Sequence, residues 1–268
     1  VASDGTEGND YADGGSISAD GRYIAFVSGS ANLVPGDTNG VSDAFLHDRL
    51  TGQTTRVSVA SDGAEANGES SPTSLSSDGR YIGVTSEASN LVPGDGNGVS
   101  DVFVHDRQTG ETHRVSVAHD GGDSDGASSG GELSADGRYV AFNSTASNLV
   151  VGDTNGSRDI FVHDRQSGQT VRVSISSLGV QGNGDSSSPY LSADGRYVTF
   201  YSVASNLVPG DTNEKTDVFV HDRQTGETTR VSVASDGTQG DDHSLLPCIS
   251  ADGRWVAFVS FSGNLVLD

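Results

Sequence analysis

The chain has no methionine, one cysteine (Cys248) and one lysine (Lys215). A lone thiol forms no intrachain disulfide, so nothing covalent staples the fold. No segment approaches the roughly 20 consecutive apolar residues of a membrane-spanning helix, which excludes membrane insertion by that route. The lack of methionine, with Val1 at the start, fits a mature or excised chain. Basic residues are scarce: 15 against 37 acidic ones, a formal charge of −22. Such a field repels phosphate backbones and anionic lipid, so nucleic acid is not an expected partner. Aromatics make up 6% and hydrophobic residues 33%, lean for an ordinary core, while 36 glycines suit short strands joined by tight turns.

What is abundant is repetition. Ser-x-Asp-Gly-Arg-aromatic recurs every 58 residues, with its aspartate at Asp20, Asp78, Asp136, Asp194 and Asp252. A unit that cannot bury its own apolar face must stack on its copies, so the period dictates the architecture. The units run 1–58, 59–116, 117–174, 175–232 and, incomplete, 233–268, and together they form one expected domain, 1–268. Within unit one, Asp20-Gly21 separates Ser16-Ile17-Ser18 from Tyr23–Val27, a hairpin signal because glycine accepts the positive φ of the turn. Asp43–Asp48 and Thr54–Val59 form a second hairpin around Gly52. Four short antiparallel strands per unit, without helical periodicity, predict an all-β fold: a β-propeller of four complete four-stranded blades and a partial fifth that stops after its second strand. An uncovered strand edge there invites pairing with another chain.

Ser-x-Asp-Gly-Arg-Tyr-Val-Ala-Phe followed by Asp-Val-Phe-Val-His-Asp resembles the blade signature of TolB-type propellers along the whole chain. The resemblance implies a propeller and no particular activity.

The connection between the second and third strands carries Gly-Asp-Thr-Asn-Gly-x-x-Asp. It supplies Asp37, Asn39 and Asp43, then Asp95, Asn97 and Asp101, then Asp153, Asn155 and Asp159, then Asp211, Asn213 and Asp217. Hard cations take several oxygen ligands, and the pattern resembles the calcium loops of FG-GAP propeller repeats. Several bound calcium ions are therefore expected. The pattern departs from those loops at its first position, where Pro35, Pro93, Val151 and Pro209 replace an acidic ligand, and in loop four, where Glu214 replaces glycine. The alternative is an Asx-turn that caps loop backbone without an ion. Acidic segments entering the first strand, among them Asp4, Glu65 and Asp123, are expected on the same face and could add ligands. His47, His105, His163 and His221, at a fixed place in the third strand, read as a packing or hydrogen-bonding position.

Positions that escape the repeat are the candidates for ligand contact. One reads Tyr11, Glu69, Ala127, Asp185, His243; another reads Ser16, Ser74, Glu132, Tyr190, Cys248. Both lead into the strand nearest the central channel, so Tyr11, Glu132, Tyr190 and His243 are the candidate rim site. No nucleophile motif surrounds them, and no catalytic residue is assigned. The expected function is a secreted or periplasmic, non-enzymatic, calcium-binding propeller serving as a binding or structural module, with a protein or polysaccharide partner at a cell surface or in extracellular matrix. The alternatives are a carbohydrate- or peptide-active hydrolase or lyase using the variable rim, and a self-associating subunit pairing through its open edge.

Overall fold

In the computed structural model, which describes residues 1–266, each complete unit is one four-stranded antiparallel sheet in sequence order. Unit one holds β1 (Ala12–Ile17), β2 (Tyr23–Ser28), β3 (Asp43–Asp48) and β4 (Gln53–Arg56). Unit two holds β5 (Ser70–Leu75), β6 (Tyr81–Ser86), β7 (Asp101–Asp106) and β8 (Glu111–Arg114). Unit three holds β9 (Ser128–Leu133), β10 (Tyr139–Ser144), β11 (Asp159–Asp164) and β12 (Gln169–Arg172). Unit four holds β13 (Ser186–Leu191), β14 (Tyr197–Ser202), β15 (Asp217–Asp222) and β16 (Glu227–Arg230), and the last unit is the pair β17 (Ser244–Ile249) and β18 (Val256–Ser260). No helix occurs among the described residues. The protein is a β-propeller, as the repeat predicts.

Two strand boundaries differ from the sequence reading by more than one residue. The first strand begins at Ala12, ahead of Ser16, and crosses an irregularity between Asp13 and Ser16 before it rejoins β2. The fourth strand ends at Arg56, short of Val59. Its continuation turns inward because Ser58 has a task on the neighbouring strand: its hydroxyl donates to Asp43 and accepts from the Ala44 amide.

The turn motif builds itself. Asp20 accepts from the Ser18 hydroxyl and the Arg22 amide, while Ser18 Oγ accepts from the Tyr23 amide, so three residues fix the hairpin without outside help. Arg22 then reaches across the sheet to Asp48 through paired bonds of 2.9 and 2.7 Å. That fork-to-fork pairing joins the start of β2 to the end of β3 and recurs in every complete unit.

Apolar packing lies between units as well as within them. Phe45, Phe103, Phe161 and Phe219 are fully buried, and one cluster joins Tyr23, Ala25 and Leu46 of unit one to Ile82, Val84 and Leu91 of unit two. Equivalent clusters bind units two to three and three to four. The first strands pack in succession, β1 on β5, β5 on β9, β9 on β13 and β13 on β17, and so surround the axis. This inner row places the variable positions of the sequence side by side.

Candidate functional site

The Asp-Thr-Asn loops are closed by arginine. Asn39 Oδ1 accepts from the Val41 amide, an Asx-turn, while its Nδ2 donates to Asp43 at 2.8 Å and to the Ala66 carbonyl of the next unit at 3.0 Å. Arg56 Nη1 then lies 3.2 Å from Asp37, 3.3 Å from Asp43 and 2.9 Å from Glu65. The same node forms around Arg114 with Asp95, Asp101 and Asp123, around Arg172 with Asp153 and Asp159, and around Arg230 with Asp211 and Asp217. In the last of these, Gln239 takes the place of the third carboxylate.

This donor set does not fit the calcium that the spacing suggests. The positive charge facing each pair of carboxylates is a guanidinium, and Asn39, Asn97, Asn155 and Asn213 turn their NH2 groups toward Asp43, Asp101, Asp159 and Asp217. An amide aimed at a carboxylate presents hydrogen where a cation needs oxygen. Among the described residues no group of three or more His, Cys, Asp or Glu is arranged to hold a metal ion. Loop four keeps the geometry of the other three, with Glu214 at φ 56° where Gly40, Gly98 and Gly156 stand. The expected approach of the acidic segments does occur, through Glu65 and Asp123, yet both carboxylates are spent on Arg56 and Arg114 and on loop amides. Asp4 caps its own turn at Thr6.

Burial raises the pKa of Asp37, Asp95, Asp153 and Asp211, and the arginines counter it. The four arginines were legible in principle, because Arg56, Arg114, Arg172 and Arg230 each follow the third loop aspartate at a constant interval. A ligand search keyed to oxygen donors passes over them.

The strand histidines are structural. His47 Nδ1 is 2.9 Å from Thr54 Oγ1, and that hydroxyl donates to the Val1 carbonyl, so the imidazole must be the donor. His105 and His221 repeat the contact, and burial lowers their pKa.

The candidate rim residues separate into two groups. Tyr11 and His243 precede their strands and bind laterally: Tyr11 Oη is 2.6 Å from Ser42 Oγ, and His243 Nδ1 accepts the Thr216 amide of the preceding unit at 3.0 Å. Asp185 accepts the Arg158 amide in the same way. Glu132 and Tyr190 occupy the other position. Glu132 pairs in register with Ala141, Tyr190 with Thr199 and Cys248 with Ala257, which sets all three at one level of the inner row. Desolvation pushes the Glu132 carboxyl up to about 7, and that carboxyl, then burial, then Cys248 raises the Tyr190 phenol. The structure brings Glu132, Tyr190 and Cys248 together, and leaves Tyr11 bonded within its own unit and His243 at the joint between units four and five.

No protein-family model and no curated protein matches the sequence. Solved structures do share its fold. TolB from Acinetobacter baumannii is 22% identical with a TM-score of 0.53, the match covering 95% of this chain and 50% of that one. This chain thus spans about half the length of that protein. A putative TolB from Agrobacterium tumefaciens is 16% identical with a TM-score of 0.56, over 97% of this chain and 73% of the other. An oligogalacturonate lyase in complex with manganese is 12% identical with a TM-score of 0.56, over 94% and 63%. What these likenesses show is the fold, a β-propeller such as TolB also has.

Proposed function

We propose that this chain is a non-enzymatic binding or structural propeller working outside the cytoplasm, and that it meets a protein or polysaccharide partner at the channel end that carries Glu132 and Tyr190. One observation carries this reading: the recurring polar groups are consumed by the fold, whereas this one level of the inner row holds polar side chains that differ from unit to unit and face no internal ion pair. Tyr190 is 42% exposed, and an aromatic with a polar tip is a common anchor in recognition. Retention of the purified chain on immobilised glycans and extracellular-matrix proteins tests it. Loss of retention in Tyr190→Ala with an unchanged melting curve supports the site; equal retention of the two proteins removes it. Cell fractionation tests the compartment.

A hydrolase or lyase acting on carbohydrate or peptide is the second reading, favoured by Glu132 alone, since a carboxyl titrating near 7 can both give and take a proton at neutral pH. Turnover of a glycan or peptide substrate that disappears in Glu132→Gln would establish it.

A further inference from the structure

The two ends of the propeller present opposite halves of one joint. At each boundary between units, the aromatic that opens the second strand lies beneath the turn glycine of the next unit. A Cβ on Gly79 would stand 2.3 Å from the Tyr23 ring, on Gly137 2.2 Å from Tyr81, on Gly195 2.4 Å from Tyr139 and on Gly253 2.3 Å from Tyr197. An arginine of the next unit covers the same ring in three of these joints, at 4.1–4.2 Å: Arg107 over Tyr23, Arg165 over Tyr81 and Arg223 over Tyr139. A backbone bond completes the joint, running from Ala19 N to Ser77 O, Ser77 N to Ala135 O, Ala135 N to Ala193 O and Ala193 N to Ala251 O.

The last unit has the first half of this joint and no second half. Trp255, which stands where the other units have tyrosine, is 69% exposed. Among the described residues no carbonyl takes the Ala251 amide. Unit one has the second half. Gly21 has no ring beneath it, its nearest neighbours being Arg49 Nη1 and Ile17 Cδ1 at 3.7 and 3.9 Å. Arg49 nonetheless donates to the Gly21 carbonyl at 2.7 Å, as Arg165 does to Gly137, and so holds the pose of the stacking arginines with nothing to stack on. Among the described residues no packing comparable to that of β13 on β17 joins β17 to β1.

We propose that these two faces seat one more unit of the same repeat, whose Asp-Gly turn and His-Asp-Arg arginine close over Trp255 and whose own aromatic slides beneath Gly21 and Arg49. The occupant follows from continuity with a joint that the molecule already makes four times: the apolar ring, the bare glycine and the free amide are each specific to that geometry. This inference stands apart from the channel reading, since neither face includes Glu132 or Tyr190.

Trp255 is the only tryptophan, so its fluorescence reads the face directly. The test appends residues 211–268 and then residues 211–230 once more to the full chain, so that unit five is completed and the added unit has all four strands, with Trp255→Tyr inside the appended copy, and compares emission and acrylamide quenching with the unextended chain. The expected result is a shift of Trp255 emission to shorter wavelength and a loss of quenching, both abolished by Gly253→Val inside the appended copy while far-UV dichroism keeps its strand signature. Unchanged emission in the extended chain overturns the proposal. So does a shift that survives Gly253→Val, or a blue shift that the unextended chain shows on its own as concentration rises, which would make a second copy the occupant.

Discussion

Arg56 Nη1 lies 3.2 Å from Asp37, a carboxylate whose loop spacing imitates a calcium ligand. The guanidinium performs the work a cation would, tying the loop to β3 through the fully buried Asp43 and to the next unit through Glu65. A buried pair of this kind is strong evidence of dependence even where it is weak evidence of net stabilisation, because removing one partner strands the other.

Loss of the arginine therefore has a large cost. In Arg172→Leu the fully buried Asp159 and its neighbour Asp153 face no positive charge. Urea unfolding is expected to show a loss of about 3–5 kcal/mol. The unaltered protein is expected to melt at the same temperature in excess calcium and in chelator, because an ion binding only the folded state would raise the midpoint by mass action. A calcium-dependent rise would return the loops to metal chemistry.

The glycine joint makes a sharper comparison. Gly21 and Gly137 have nearly the same backbone, φ +71° and +70°, and occupy the same turn in units one and three. A methyl on Gly137 would stand 2.2 Å from the Tyr81 ring, whereas on Gly21 it meets nothing closer than 3.7 Å. Gly21→Ala is expected to cost about 1 kcal/mol from left-handed strain, and Gly137→Ala that amount plus about 1–3 kcal/mol of overpacking. Equal losses by chemical denaturation would mean that the ring yields freely and the joint is soft.

The propeller was legible because repetition, the Asp-Gly hairpin signal and the alternation in Asp43–Asp48 agree. The loops read two ways because an Asx-turn and a calcium loop share Asp, Asn and Gly; the position of Arg56, distant in sequence and adjacent in space, favours the Asx-turn. The rim was half legible. Tyr11 and Glu132 both escape the repeat, yet five residues of strand entry divide a lateral hydrogen bond from a place on the inner row, and the irregularity between Asp13 and Ser16 adds a twist that periodicity does not announce.

Acid should weaken the fold through the Arg22–Asp48 family. The arginine bonds hold Asp48, Asp164 and Asp222 well below the ordinary 3.8, and Asp106 near 2. For a carboxylate whose pKa is lower folded than unfolded, the contribution is complete above the unfolded value and is lost as pH falls through the folded one. The contribution of these pairs to stability in urea is thus expected to hold from pH 6 to about 4 and to drop between about 4 and 2. Asp106→Asn should lower it at pH 6 and flatten that acid slope. A curve of unchanged slope in the variant would assign acid unfolding to other groups.

Glu132 has the opposite sign. Its carboxyl is raised from 4.5 to about 7, so the folded state prefers the protonated form. Its contribution is intact below the unfolded pKa, and a penalty grows as pH climbs from 4.5 and levels off above 7. Glu132→Gln keeps the shape and removes the charge, and at pH 8 it is expected to stabilise the protein by about 1–3 kcal/mol after allowance for solvent screening, with no gain at pH 4. The same substitution removes the largest cause of the raised Tyr190 phenol, so ultraviolet titration should find that phenol ionising at lower pH. If Glu132→Gln stabilises at pH 8 and Tyr190 does not move, the two side chains are electrostatically independent, and the inner row holds two separate features where the proposed function requires one.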